Sequence, residues 1–203
     1  MLEDVQENSG TSLLFRLILD GPADGAWNMA LDEALMESSG TEGNPPSLRF
    51  YTFSPPALSV GRFQKTGGVF DFECLEDFGY TFVRRPSGGQ AVLHSEELTY
   101  SAAVGKHVLG RLGKRDIYRF IVPILLAGLS ELGLESFNEA PGGNGVSTSP
   151  DCFASTGQYE IDGNSNRKLI GSAQMVSRTS VLQHGSIPLT SANRKLRDFL
   201  LPD

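Results

Sequence analysis

Hydrophobic and polar positions alternate, cluster and repeat in a way that predicts a string of short elements. Leu13 to Leu19 is strand-like. Asp24 can cap a helix carrying Trp27, Ala30, Leu31, Ala34 and Leu35 at the spacing of one apolar face, which leaves Asn28, Asp32 and Glu33 for solvent. Ser47 to Phe53 and Ala57 to Gly61 read as strands separated by Ser54-Pro55-Pro56, and a short helix follows over 70–78. Gly105 to Arg115 reads as a basic loop. From Asp116 to Leu132 the apolar residues Ile117, Phe120, Ile121, Ile124 and Leu125 recur with helical period, although Pro123 interrupts the backbone bonding. Residues 138–151 are rich in Gly, Ser, Asn and Pro and predict a flexible connector. Gln158 to Ile161 and Lys168 to Val176 form a hairpin around a turn at 162–166. Ser180 to Leu189 is a further strand, and Ser191 can cap a last helix to Leu201. Strands joined mostly by turns, with a few helices between, define the α+β class. Residues 1–12 are expected to be a mobile tail and 13–203 a single domain.

The most informative stretch is YTFVRRPSGGQAVLHSEELTYSAAV, residues 80–104. Tyr80 to Val83, Gln90 to His94 and Leu98 to Val104 are extended, and Arg84-Arg85-Pro86-Ser87-Gly88-Gly89 makes a sharp cationic bend between the first two. Paired glycines let backbone N–H groups approach an anion or a carbonyl, and arginine supplies a fork of donors. An ordinary hairpin with surface arginines fits the same spacing.

Charge and composition narrow the function. The net charge is −7, with 39% hydrophobic and 20% charged residues, which disfavours a general nucleic-acid binder and a disordered chain. The first ten residues are acidic and polar, unlike a signal peptide, and no apolar run approaches the roughly 18 residues of a membrane span. A soluble, cytoplasmic protein is expected. Two cysteines, Cys74 and Cys152, and three histidines cannot make a cysteine-based zinc site, so no metal is expected. Cys74, beside Leu75 and without a basic neighbour, reads as apolar filler.

No GxxxxGK[ST], GxGxxG, HExxH or GxSxG motif occurs. Lys168, followed by Leu169, Ile170 and Gly171, would need an anionic or carbonyl partner if buried. A cysteine near that ammonium would be held as the reactive thiolate. Acyl chemistry is therefore permitted, while Cys152 as a plain buried side chain stays open, since spacing cannot show that the two groups meet.

The ordered segments WNMALDEAL, LRFY, LSVGRFQ, RRPSGGQAVLHSEELTYS, RKLIGSAQ and LQHGSI resemble the lipoate-attachment family, the biotin/lipoate A/B protein ligases that comprise lipoate–protein ligase A and the related octanoyl and lipoyl transferases. The match covers roughly residues 13 to 190. It implies a fold like the catalytic domain of biotin protein ligase and class II aminoacyl-tRNA synthetases, a mixed, largely antiparallel sheet flanked by helices. It also implies that Arg84, Ser87, Gly88, Gly89, Ala91 and His94 form an acyl-binding loop, with Gly171, Ser172, Ala173, Gln174, His184 and Gly185 along the same tunnel. Gln90 and Ser95 depart from the pattern, where a glycine or arginine and an aspartate are frequent.

Residues CFASTGQYEI resemble the octanoyltransferases of this family, which implies Cys152 as nucleophile and Lys168 as the cation polarising the carbonyl. The implied partners are octanoyl–acyl carrier protein and a lipoyl-domain acceptor, such as glycine cleavage H protein or a dehydrogenase E2, with no cofactor, nucleic acid or membrane. Arg111, Lys114, Arg115 and Arg119 are docking candidates for these acidic partners. The alternatives are an ATP-dependent lipoate ligase, which alone would use ATP and magnesium, and a lipoyl amidotransferase. The resemblance also implies that a last C-terminal segment is missing.

Overall fold

Asp24 opens the first helix by accepting the Trp27 N–H at 2.9 Å, as its capping chemistry predicts. The computed structural model describes residues 14–109, 114–133, 138–139, 150, 161–162, 168–190 and 196–202. The expected tail, the strand residues 158–160 and the helix start at Ser191 lie outside these.

Strand β1 (Arg16–Ala23) precedes helix α1 (Gly25–Ser39), then come β2 (Ser47–Phe53), β3 (Ala57–Val60), α2 (Phe72–Asp77) and β4 (Thr81–Arg84). They are followed by β5 (Val92–His94), β6 (Glu97–Gly105), α3 (Lys106–Leu109), α4 (Lys114–Glu131), β7 (Asn138–Glu139), β8 (Ile161–Asp162), β9 (Lys168–Val176) and β10 (Ser180–Pro188). Seven strands join in the order β1-β2-β6-β10-β9-β8-β7, and three more in the order β4-β3-β5. Only β1–β2 and β3–β4 pair in parallel among the described strands. The fold is thus α+β with a largely antiparallel sheet.

Side-chain alternation splits the large sheet into two unlike faces. Tyr100, Ala102, Val104, Ile170 and Val181 point to one side, where Tyr118, Ile121, Val122, Leu125 and Leu129 of α4 cover them in an apolar core. Each such buried aliphatic side chain is worth about 1.5–3 kcal/mol. The opposite face presents Ala103 and Leu182 to Met36 of α1, but also Arg49, Ser101 and His184. The small sheet packs its own core against α2, with Leu58, Val60, Leu75, Leu93, Leu196 and Phe199.

Several expectations are corrected. Trp27 is 61% exposed, whereas Gly25, Asn28, Met29, Asp32, Met36 and Ser39 are the buried face of α1. The apolar stripe misleads because the sheet surface beneath α1 is itself polar. The expected basic loop after Gly105 begins instead with α3, whose Lys106 donates to the Ser177 carbonyl at 2.6 Å. The long helix covers Lys114–Glu131, so Asp116, where it was expected to begin, lies inside it. Asn138–Glu139 pairs with β8, so the start of the expected connector is strand. Residues 196–199 form one 3₁₀ turn where a helix was expected. Cys74 packs against the smaller core, and burial together with Asp71, Asp77 and Asp198 pushes its thiol up, in keeping with filler.

Candidate acyl-binding site

The Gly-rich bend is not a hairpin. Strands β4 and β5 do not pair with each other; both flank β3, and residues 85–91 cross over its end. The crossing depends on two glycines in contact. A Cβ on Gly61 would sit 2.0 Å from the Gly89 carbonyl oxygen, and Gly89 itself adopts φ +94°. The two adjacent arginines diverge because successive residues of an extended segment point to opposite sides. Arg84 turns outward and binds the carbonyls of Gly61 at 2.7 Å and Gln64 at 2.9 Å. Arg85 turns inward, is 5% exposed, and donates to the carbonyls of Gly88 at 2.8 Å and Gln90 at 2.7 Å and to Ser59 Oγ at 3.2 Å.

Between the small sheet and the polar face of the large one lies a narrow, partly open cavity. Ser59, Arg85, Val92 and His94 form one wall, and Gly171, Ser172, Ala173, His184, Gly185 and Ser186 the other, with Met29, Tyr51 and Thr99 between. Gly185 is kept small by its surroundings, since a Cβ there would meet the Gly171 carbonyl oxygen and the Tyr100 ring at 2.6 Å. The polar groups of the walls are turned to one another, not left open.

Two imidazole relays result. His184 Nε2 lies 2.5 Å from Ser87 Oγ, and its Nδ1 is 3.0 Å from Asp32 Oδ2. Asp32 also accepts from Arg49 Nη1 at 2.9 Å, Tyr51 OH at 2.9 Å and Ser101 Oγ at 2.7 Å. Burial pushes the Asp32 carboxyl up, but the His184 bond and charge, Ser101 and Arg49 outweigh it and hold it below its ordinary range. Arg49 is in turn held by Asn28 Oδ1 at 2.7 Å and Asp20 Oδ2 at 2.7 Å, and stacks 3.9 Å over the Tyr51 ring. In the second relay, His94 Nε2 is 2.7 Å from Ser59 Oγ and Nδ1 contacts Glu97, which Thr99 and Ser186 also donate to.

Of the residues named from the sequence, His94, Gly171, Ser172, Ala173, His184 and Gly185 lie on the cavity wall. Ser87 stands behind His184, Ala91 is fully buried in the smaller core, and Gln174 pairs with Gln183 at 2.7 Å away from the wall. Cys152 and the side chain of Lys168 are outside the described residues, as are the side chains of Arg111, Lys114, Arg115 and Arg119. Lys168 opens β9, three residues before Gly171. Pro150, two residues before Cys152, is described: its carbonyl accepts from the Ala91 N–H at 2.8 Å and from Gln64 Nε2 at 3.1 Å. Asp32, Arg49, Ser59 and Glu97 escaped the sequence reading as site residues, whereas Arg85 belongs to the cationic bend that the sequence marks. The spacing of Glu97 three residues after His94 was a usable signal, whereas the pairing of Asp32 with Arg49 had none. No group of three or more potential metal ligands occurs among the described residues.

The profile of the lipoyl protein ligase A/B catalytic domain matches residues 24–203. The chain belongs to this family. As a lipoyl protein ligase A/B catalytic domain, it is 43% identical over 183 residues to an octanoyltransferase, LipM, of Kyrpidia tusciae, covering 86% of this chain and 66% of that protein. It is 39% identical over 196 residues to the Bacillus subtilis octanoyltransferase LipM, covering 92% of this chain and 69% of that one. The chain thus spans about two thirds of the length of these curated relatives. Its fold matches a lipoate–protein ligase A structure bound with ATP (TM-score 0.76, 25% identity, 92% of this chain and 71% of the other). It also matches a bipartite lipoate protein ligase from Thermoplasma acidophilum (TM-score 0.75, 22% identity, 95% and 68%), a likeness of fold alone.

Proposed function

We propose that this lipoyl protein ligase A/B domain is a protein N-octanoyltransferase, moving an octanoyl group from octanoyl–acyl carrier protein through a Cys152 thioester to a lysine of a lipoyl domain. The observation that carries this reading is the double anchoring of the Pro150 carbonyl on Ala91 and Gln64, at the foot of the Gly-rich bend. Cys152 follows Pro150 by two residues, at most about 7 Å of chain, which supports a nucleophile near this bend. The relatives named octanoyltransferase support the same reaction.

The sulfur of Cys152 attacks the carrier thioester, the carrier thiol leaves, and the acyl chain lies between the Gly171–Ala173 strand and Val92. Lys168 polarises the carbonyl and favours the thiolate. The acceptor lysine then attacks the acyl-enzyme, the amide forms, and Cys152 is released. No cofactor takes part in this scheme. The acceptor is a lipoyl domain of the H-protein or dehydrogenase E2 type, and Arg111, Lys114, Arg115 and Arg119 meet the acidic carriers. No described helix is long and apolar enough to cross a membrane.

Intact-protein mass after incubation with octanoyl–acyl carrier protein tests this. An octanoyl adduct lost in Cys152→Ala is expected. ATP–pyrophosphate exchange without such an adduct overturns the reading in favour of an adenylating ligase. Loading only from an already modified lipoyl domain overturns it in favour of an amidotransferase.

A further inference from the structure

The Ser59–His94–Glu97 relay has no part in the cysteine chemistry above. Ser59 lies in β3, the middle strand of the small sheet, His94 in β5 beside it, and Glu97 opens β6. The proton positions follow from the partners. Burial raises the Glu97 carboxyl, but the His94 charge and the bonds from His94, Ser186 and Thr99 outweigh it and keep the group ionised. A carboxylate only accepts, so His94 Nδ1 carries the proton facing it. When that imidazole is neutral, Nε2 is the acceptor for the Ser59 O–H at 2.7 Å; when it is charged, both nitrogens donate. The Phe53 ring stacks on the imidazole at 4.0 Å and fixes its plane, and Arg85 Nη1 approaches Ser59 Oγ at 3.2 Å.

The His184 relay has the same order of groups but differs in two respects. Both serines are buried, Ser59 at 0% and Ser87 at 1% exposed, but Ser59 borders the cavity and Ser87 does not. Asp32 is already neutralised by Arg49, while no Arg or Lys pairs with Glu97 among the described residues. An unspent carboxylate is the one able to stabilise an imidazolium formed during reaction.

We infer that Ser59, His94 and Glu97 form a second acyl-accepting site on the cavity wall, a serine nucleophile that takes a medium-chain acyl group from an activated ester or thioester and passes it to water. Ser59 Oγ bonds to the carbonyl carbon while its proton passes to His94 Nε2. The bond from that carbon to the leaving oxygen or sulfur breaks, and the alcohol or thiol departs with the proton. Water repeats the sequence, releasing the carboxylic acid and restoring the hydroxyl. Arg85 supplies the cation beside the oxyanion. The chain length rests on the octanoyl reading; the serine chemistry does not.

The test treats the full chain carrying Cys152→Ala with an octyl fluorophosphonate and maps the adduct by peptide mass. One phosphonyl group on Ser59 is expected, formed as fluoride leaves. Ser59→Ala should abolish it, and His94→Gln and Glu97→Gln should slow it by about 100-fold or more. The mapping on unaltered Ser59 decides even where the substituted proteins fold poorly. No adduct on Ser59, an adduct elsewhere, or labelling at full rate in folded His94→Gln overturns the inference. Because Cys152 and acyl carrier protein are absent from this assay, its failure leaves the thioester reading standing, and the converse also holds.

Discussion

Arg49 Nη1 lies 2.9 Å from Asp32 Oδ1, and neither side chain reaches solvent. An ion pair this deep contributes little against a well-packed apolar substitute, yet losing one partner leaves a bare buried charge. Asp32→Ala and Arg49→Met are each expected to lower stability by about 3–5 kcal/mol. The double variant should lose at least about 1 kcal/mol less than the sum. Urea unfolding at neutral pH measures this, and strictly additive losses would rule the coupling out.

The two buried carboxylates set a direction for acid sensitivity. Asp32 and Glu97 are both held below their ordinary values of 3.8 and 4.5. A depressed folded value means the stabilisation is complete above the ordinary value and is lost as pH falls through the folded one. Stability should therefore drop as pH falls below about 5, by up to about 1.4 kcal/mol per pH unit for each group. Glu97→Gln should flatten that drop relative to its own neutral-pH stability. An unchanged slope would remove Glu97 from the account.

Gly61 and Gly89 touch backbone to backbone, and that contact shapes the bend. Gly61→Ala must push the Gly89 carbonyl away from 2.0 Å, and Gly89→Ala combines φ +94° with a contact to Arg85 Nη2 at 2.9 Å. Each should cost about 2 kcal/mol or more. Gly88→Ala is the internal control: a Cβ there meets nothing within 4 Å, so its stability should change by about 0.5 kcal/mol or less. Equal losses at all three positions would count against the close-approach explanation.

Gln64 reaches 86 positions along the chain to hold the Pro150 carbonyl. Under the proposed function, Gln64→Ala should slow octanoyl-adduct formation on Cys152 while lowering stability by about 1–2 kcal/mol, since its side chain also accepts from the Gly61 N–H at 3.4 Å. Stopped-flow or quenched mass measurements follow the rate. An unaltered acylation rate would mean that the anchor does not orient the nucleophile's segment.

Lys168→Met should slow the same adduct by about 10²–10³-fold, as for loss of one oxyanion donor. Charge reversal at Arg111, Lys114, Arg115 and Arg119 should instead raise the KM for acyl carrier protein with little change in kcat. Single-turnover rates separate the two effects.

Strand boundaries were legible wherever a β-branched or aromatic run ended at a turn: β2 and β9 fall where the pattern put them. The face of α1 was not. Helical periodicity marks the apolar stripe, but Asn28 and Asp32 are buried because Arg49, Tyr51, Ser101 and His184 satisfy them, and those partners come from three other strands. Arg84 and Arg85 were equivalent on paper and became unlike once the chain was extended, since alternation sends one outward and one inward.

By itself the sequence determined the α+β class and the cationic Gly-Gly bend, because local propensity carries them, while the family resemblance pointed to His94, Gly171 and His184, which line the cavity. Only the tertiary structure decided which polar groups meet. A hydrogen bond such as Ser59 to His94, or an ion pair such as Asp32 with Arg49, depends on strand register and on helix placement over the sheet, and neither is written in residue spacing.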